Sequence, residues 1–144
     1  MREGYRFELP IEVRFRDIDA LGHVNNAVYF SYMEHARIGY LRVIGLMPER
    51  LDEISFILAE ATCRFKSPVP FGMPLIVRVR VAEMRGSSFF MDYSIEEQGT
   101  ERVMAMGRTA SVVYDYAASK SVPIPSEWRA RIEAFERGST HQGG

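Results

Sequence analysis

Lysine is scarce in this chain of 144 residues: Lys66 and Lys120 are the only two, and the rest of the positive charge is arginine. Arginine suits phosphate and carboxylate recognition, although the bias is read here as overall composition. Net charge is −1, which argues against a nucleic-acid binder working by bulk electrostatics. Cysteine is nearly absent. With Cys63 alone there is no intrachain disulfide, and a reducing cytoplasm is the natural compartment. Cys63 is read as a small buried residue of a strand rather than a nucleophile. His23, His35, His141 and Cys63 are scattered too widely to predict a metal site. Long apolar runs are missing as well. The opening MREGYRFELPIEV carries charges where a secretory signal would be apolar, and Glu34, His35 and Arg37 interrupt the most apolar helical stretch, so no membrane span is expected. What remains, at 47% hydrophobic and 26% charged residues, is an ordinary soluble chain of one domain with enough length for a sizeable core.

The first segment alternates. Tyr5, Phe7, Leu9, Ile11, Val13 and Phe15 share one face against Arg6, Glu8, Glu12, Arg14 and Arg16, which predicts a half-buried strand. Pro10 points to a bulge or an edge position. From about Phe56 the period is two again, with Ile57, Ala59, Ala61, Cys63 and Phe65 on one face, until SPVPFGMP breaks the ladder with three prolines. Leu75, Val77, Val79 and Val81 mark a third strand and Phe89, Met91, Tyr93 and Ile95 a fourth, joined by a turn at Arg85, Gly86 and Ser87. Gln98-Gly99 is a hairpin turn before a long strand from Val103 to about Tyr116, apolar on both sides and therefore central or at an interface. Ser126 is the expected N-cap of a short helix striped by Trp128, Ile132 and Phe135. Residues 138–144 (GSTHQGG) hold no apolar side chain and are expected to be a disordered tail to a single domain of residues 1–137.

The stretch from Arg16 to Arg37, RDIDALGHVNNAVYFSYMEHAR, organises the rest. Asp17 and Asp19 open it, Gly22 allows a sharp turn, and Asn25 or Asn26 is a good helix N-cap. Tyr29, Met33, Ala36, Tyr40 and Val43 then recur at helical spacing to about Ile44, with Gly45 past the end, Pro48 beyond, and a connecting turn over residues 49–53. Few positions on this helix are polar, so it should be buried on most sides. A carboxylate-bearing loop thus delivers a helix N-terminus whose free N–H groups can hold an electron-rich oxygen. The element order gives an α+β class: a curved antiparallel five-stranded sheet wrapped round one long helix, plus a short C-terminal helix, which is the geometry of a hotdog fold.

The same stretch strongly resembles the hotdog thioesterases of the 4-hydroxybenzoyl-CoA thioesterase family, including the acyl-CoA thioesterases associated with the Tol-Pal cluster. Asp17, Asp19, Gly22, His23, Asn25, Asn26, Tyr29, Tyr32, Glu34, Ala36 and Arg37 fit the family pattern. The resemblance implies hydrolysis of an acyl-CoA thioester, with Asp19 as nucleophile or as general base for water and the Asn26 backbone N–H polarising the carbonyl. It implies no cofactor, and a homodimer or homotetramer with sites at the subunit interface. His23, Asn25 and Tyr29 would line the substrate site, and Arg85, Ser87 and Ser88 would meet the nucleotide of coenzyme A. A thiolate leaves readily, so one carboxylate and an oxyanion donor can suffice.

Asp17 is read as structural, and His23 as a loop-fixing residue. Glu34 lies about 12 Å down the helix from Asn26 at a rise of about 1.5 Å per residue, too far for the reacting carbonyl, and is expected to pair with Arg37 at i+3. Tyr29, Met33, Phe56 and Leu58 are candidates for the acyl pocket. The alternative function is a non-catalytic acyl-CoA or acyl-carrier-protein binding module of the same fold, which loss of Asp19 would favour. A hydratase would need another histidine–carboxylate pattern, and no helix-turn-helix segment suggests a regulator.

Overall fold

The computed structural model of the chain describes residues 4–47 and 54–138. Its elements are β1 (Phe7–Ile11), a 3-10 turn (Phe15–Asp17), α1 (Val28–Val43), β2 (Ile54–Phe65), β3 (Leu75–Met84), β4 (Ser88–Glu97), β5 (Arg102–Asp115), β6 (Lys120–Ser121) and α2 (Ser126–Arg137). All pairings are antiparallel, in the order β1-β3-β4-β5-β2, with the two residues of β6 added to β5. The expected central strand is central: β5 lies between β4 and β2. Pro10 sits on an edge, where its missing N–H costs no ladder bond.

Period-two patterning decides which face is buried. Leu75, Val77 and Val79 of β3 and Phe89, Met91, Tyr93 and Ile95 of β4 turn inward and are almost inaccessible. The outer face is charged and internally paired: Arg78 meets Glu8 and Glu96, and Asp92 accepts from Arg80 and Arg108. The inner face curves round α1, whose Tyr29, Met33, Ala36, Tyr40 and Leu41 are buried. Close approach requires a glycine beneath the helix. A Cβ on Gly107 would stand 2.7 Å from Met33 Cε and 2.9 Å from the Thr62 carbonyl.

Several expectations are corrected. The first strand stops at Ile11, opposite Leu75 where β3 begins, so Phe15 leaves the core face and is 80% exposed. Val43 at the end of α1 is likewise exposed rather than buried. Neither Ser126 nor any other side chain caps α2, which begins after Pro125. A bulge between Leu58 and Glu60 changes the parity of β2, so Phe56 and Leu58, not Ile57, share the inner face with Ala61, Cys63 and Phe65. Gly45 ends α1 in the left-handed conformation as expected, with Leu46 N–H returning to the Leu41 carbonyl. Pro48, the turn at 49–53 and the tail at 139–144 lie outside the described residues.

Candidate active site

The loop from Asp17 to Ala27 is built almost entirely by its own backbone. Asp19 N–H donates to the His23 carbonyl at 2.9 Å and Gly22 N–H to the Asp19 carbonyl at 3.0 Å, closing a tight turn that Gly22 completes at φ +87°. Val24 N–H bonds the Val69 carbonyl, which ties the loop to the proline-rich segment after β2. His23 acts here through its main chain, and its side chain is exposed.

The two aspartates divide. Asp17 is 2% exposed, and its carboxylate accepts from Arg14 N–H, the Tyr32 hydroxyl and the Arg14 guanidinium. Burial pushes its carboxyl up, but those three donors outweigh burial and hold it below the ordinary value. Its oxygens are taken. Asp19 is only partly buried, and Oδ1 accepts from Leu21 N–H at 2.9 Å, while Oδ2 has no hydrogen bond among the described residues.

The amides entering α1 can be counted one by one. Asn25 N–H goes to the Asp17 carbonyl, Ala27 N–H to Asn25 Oδ1, Val28 N–H to the Asn25 carbonyl and Tyr29 N–H to the Asn26 carbonyl. Asn25 Oδ1 thus closes a turn just ahead of α1, while no side chain caps the helix itself, whose N-cap residue is Ala27. The Asn26 N–H alone in this run has no acceptor among the described residues. It is a preformed donor at a helix N-terminus.

Asp19, His23, Asn25, Asn26 and Tyr29 line one cleft of about 390 Å³, together with Leu21, Phe65, Lys66, Ser67 and Pro68. The segment after Phe65 went unrecognised in the sequence beyond its strand-breaking prolines, though Lys66 is one of only two lysines. Tyr29 packs edge-on against Phe65 at 5.0 Å, and burial raises its phenol. Cys63 is half-buried beside it, its thiol pushed up by burial to about 11.

Arg85, Ser87 and Ser88 do not reach this cleft in the same chain. Ser88 pairs with Val112, whereas Ile95 pairs with Ala105 and Ala105 with Phe65 at the cleft end. The separation is about 24 Å along the strands at about 3.4 Å per residue. Arg85 is exposed, bonded to Glu83 at 2.6 Å, and stacked 5.0 Å over Phe90. Glu34 is exposed, and its expected pair with Arg37 does not form. Arg37 turns inward to the Tyr93 hydroxyl at 3.1 Å.

The sequence pattern of the Thioesterase-like superfamily matches residues 13–132. The chain belongs to this superfamily. A thioesterase from Thermus thermophilus, solved with coenzyme A and Zn, is 32% identical with a TM-score of 0.80, covering 94% of this chain and 98% of that one. The chloroplastic acyl-acyl carrier protein thioesterase ATL3 of Arabidopsis thaliana is 28% identical over 90% of this chain and 69% of its own length. The acyl-CoA thioesterase YbgC of Haemophilus influenzae is 25% identical over 86% of this chain and 92% of its own. The fold is the hotdog fold of these thioesterases. No helix among the described residues is long and apolar enough to cross a membrane.

Proposed function

We propose that this thioesterase-superfamily chain hydrolyses acyl-CoA thioesters to free acid and coenzyme A. One observation carries the reading: Asn26, whose amide alone at the start of α1 has no acceptor among the described residues, lines the same cleft as Asp19, whose Oδ2 has no hydrogen bond among them either. The thioester carbonyl oxygen would accept from Asn26 N–H, which holds the negative charge as the tetrahedral intermediate forms. Asp19 Oδ2 then acts in one of two ways. As nucleophile it attacks the carbonyl carbon, the thiolate leaves, and water hydrolyses the resulting anhydride. As general base it takes a proton from the attacking water. Asp17 keeps the loop in shape and touches neither reactant. The Asp19-to-Asn26 motif supports the 4-hydroxybenzoyl-CoA thioesterase branch, Tol-Pal-associated enzymes included, acting without a cofactor, and the single cysteine supports a cytoplasmic enzyme.

A second copy completes the site in this proposal. β2 is a long edge strand among the described residues, and Ile57, Leu58 and Phe65 on it are 39%, 47% and 40% exposed. Two-fold antiparallel pairing of β2 with a partner's β2 reverses the ends of the two sheets. The partner's Arg85 turn then comes to the end that carries the Asp19 cleft, about 14 Å away across three strand spacings. That distance suits a substrate with its acyl end in one chain and its phosphates on the other.

Thiol release from a panel of acyl-CoA and acyl-carrier-protein thioesters by purified protein tests the proposal. Turnover on at least one of them is expected; binding without thiol release from any would replace the enzyme by the binding module.

A further inference from the structure

Tyr29, Met33 and Arg37 stand at successive i+4 positions on one face of α1. Tyr29 lines the cleft against Phe65, Met33 lies on Gly107, and Arg37 reaches Tyr93, whose hydroxyl is 2.7 Å from Thr109 Oγ1. The facing strand supplies Phe65, Cys63, Ala61 and Leu58 on the same side, because of the bulge at Ala59. An apolar strip therefore leaves the Asp19 cleft and follows the helix. It ends in polar groups.

Tyr93 and Thr109 satisfy each other, but the charge of Arg37 and a further hydroxyl on β5 are not satisfied as a core should be. The Arg37 residue is 7% exposed and forms no ion pair with a carboxylate among the described residues; its partner there is the uncharged Tyr93 hydroxyl. Ser111, one inward position beyond Thr109 on β5, is fully buried, and its hydroxyl has no partner. A buried guanidinium without an anion is costly, and so is an orphaned hydroxyl. The deficit here is one negative charge with oxygen acceptors. Arg37 lies about 16 Å along α1 from Asn26, and helix side chains lean back toward the N-terminus, which shortens the span to that of a medium-length acyl chain.

We infer that the Arg37–Tyr93–Thr109–Ser111 cluster receives a carboxylate at the far end of the acyl group, so that the preferred substrates are ω-carboxyacyl thioesters. The inference rests on the thioesterase reading above. Met33, Cys63 and Ala61 hold the methylene chain, Arg37 pairs with the terminal carboxylate, and the hydroxyls of Ser111 and Thr109 donate to its oxygens.

The test compares kcat/KM of the full chain for ω-carboxyacyl-CoAs with that for alkanoyl-CoAs of equal carbon number. The carboxyacyl series should be preferred at its best length by roughly ten- to a hundredfold, the usual worth of a hydrogen bond to a charged group. Arg37→Met should abolish the preference mainly through KM, with Arg37→Lys restoring part of it. Ser111→Ala should lower the preference in the same direction by less, and it decides the matter if Arg37→Met does not fold. Equal or better turnover of alkanoyl-CoAs at every length would overturn the inference and leave the thioesterase reading standing. Absence of thiol release from both series and from the general panel would remove that reading, and the inference with it.

Discussion

The Tyr40 hydroxyl donates to Glu136 Oε2 at 2.5 Å, and Val81 N–H donates to the same oxygen at 2.9 Å, so one carboxylate of α2 bolts α1 to β3. Burial raises Glu136 above its ordinary value of 4.5, with the Tyr40 and Val81 bonds only partly offsetting it. A carboxyl raised in the folded state contributes stability below the unfolded value and loses it as pH rises through the folded one. Glu136→Gln keeps an acceptor and cannot ionise. Its stability relative to the wild type should therefore climb between pH 4.5 and neutrality, as read from denaturation midpoints; a flat difference would mean the carboxylate is no strain on the fold.

Asp17 has the opposite sign. Its carboxyl is held below the ordinary 3.8, so its contribution is present above that value and is lost as pH falls through the folded one. Asp17→Asn should cost about 1–3 kcal/mol at neutral pH, with the deficit shrinking in acid. Any activity loss should follow loop order.

Asp19→Asn should instead leave folding intact and lower kcat by at least about 10²–10⁴-fold, the range of general-base catalysis. Asn26→Ala should keep most activity, because the donor is main chain. Steady-state thiol release with circular dichroism as the folding control separates these outcomes. A folded Asp19→Asn enzyme with near-wild-type kcat would remove the catalytic assignment.

Light scattering at micromolar concentration should give at least a dimeric mass, and Leu58→Lys on the edge strand should lower it. Arg85→Ala should raise KM for acyl-CoA roughly ten- to a hundredfold while sparing a short thioester without the nucleotide. Mixing Asp19→Asn with Arg85→Ala subunits then reports where Arg85 acts. If it serves the partner's cleft, hybrids contain one intact site, and low-substrate activity recovers above the sum of the parents. Additive activity would put Arg85 outside the nucleotide site of the partner.

Gly107→Ala should destabilise by about 1–3 kcal/mol, a typical overpacking cost. The new Cβ meets the flexible Met33 thioether, which can move, and also the Thr62 carbonyl at 2.9 Å, which cannot without bending β2. An unchanged midpoint in a denaturant titration would show that α1 rides more loosely on the sheet than this.

Much of the architecture could be read in advance because alternation maps directly onto burial in β3 and β4. It misled at Ile57, since one bulged residue at Ala59 flips parity without any mark in composition. The Asp19–Asn26 cleft was legible as a local run of loop and helix start. Asp17's bond to Tyr32 was not, being set by how the helix docks. Arg37 shows the limit most clearly. Glu34 was the obvious neighbour at i+3, yet the side chain turns to Tyr93, 56 residues on, because that face of α1 is pressed against the sheet.

Cys63 has a practical consequence. As the sole sulfhydryl, half-buried and with its ionisation pushed up by burial to about 11, it stays almost wholly protonated at neutral pH. Chromogenic disulfide reagents should therefore see liberated coenzyme A against almost no background from the enzyme. The same chemistry makes the native chain a poor target for maleimide dyes, and a spectroscopic label would have to be introduced at a new exposed cysteine.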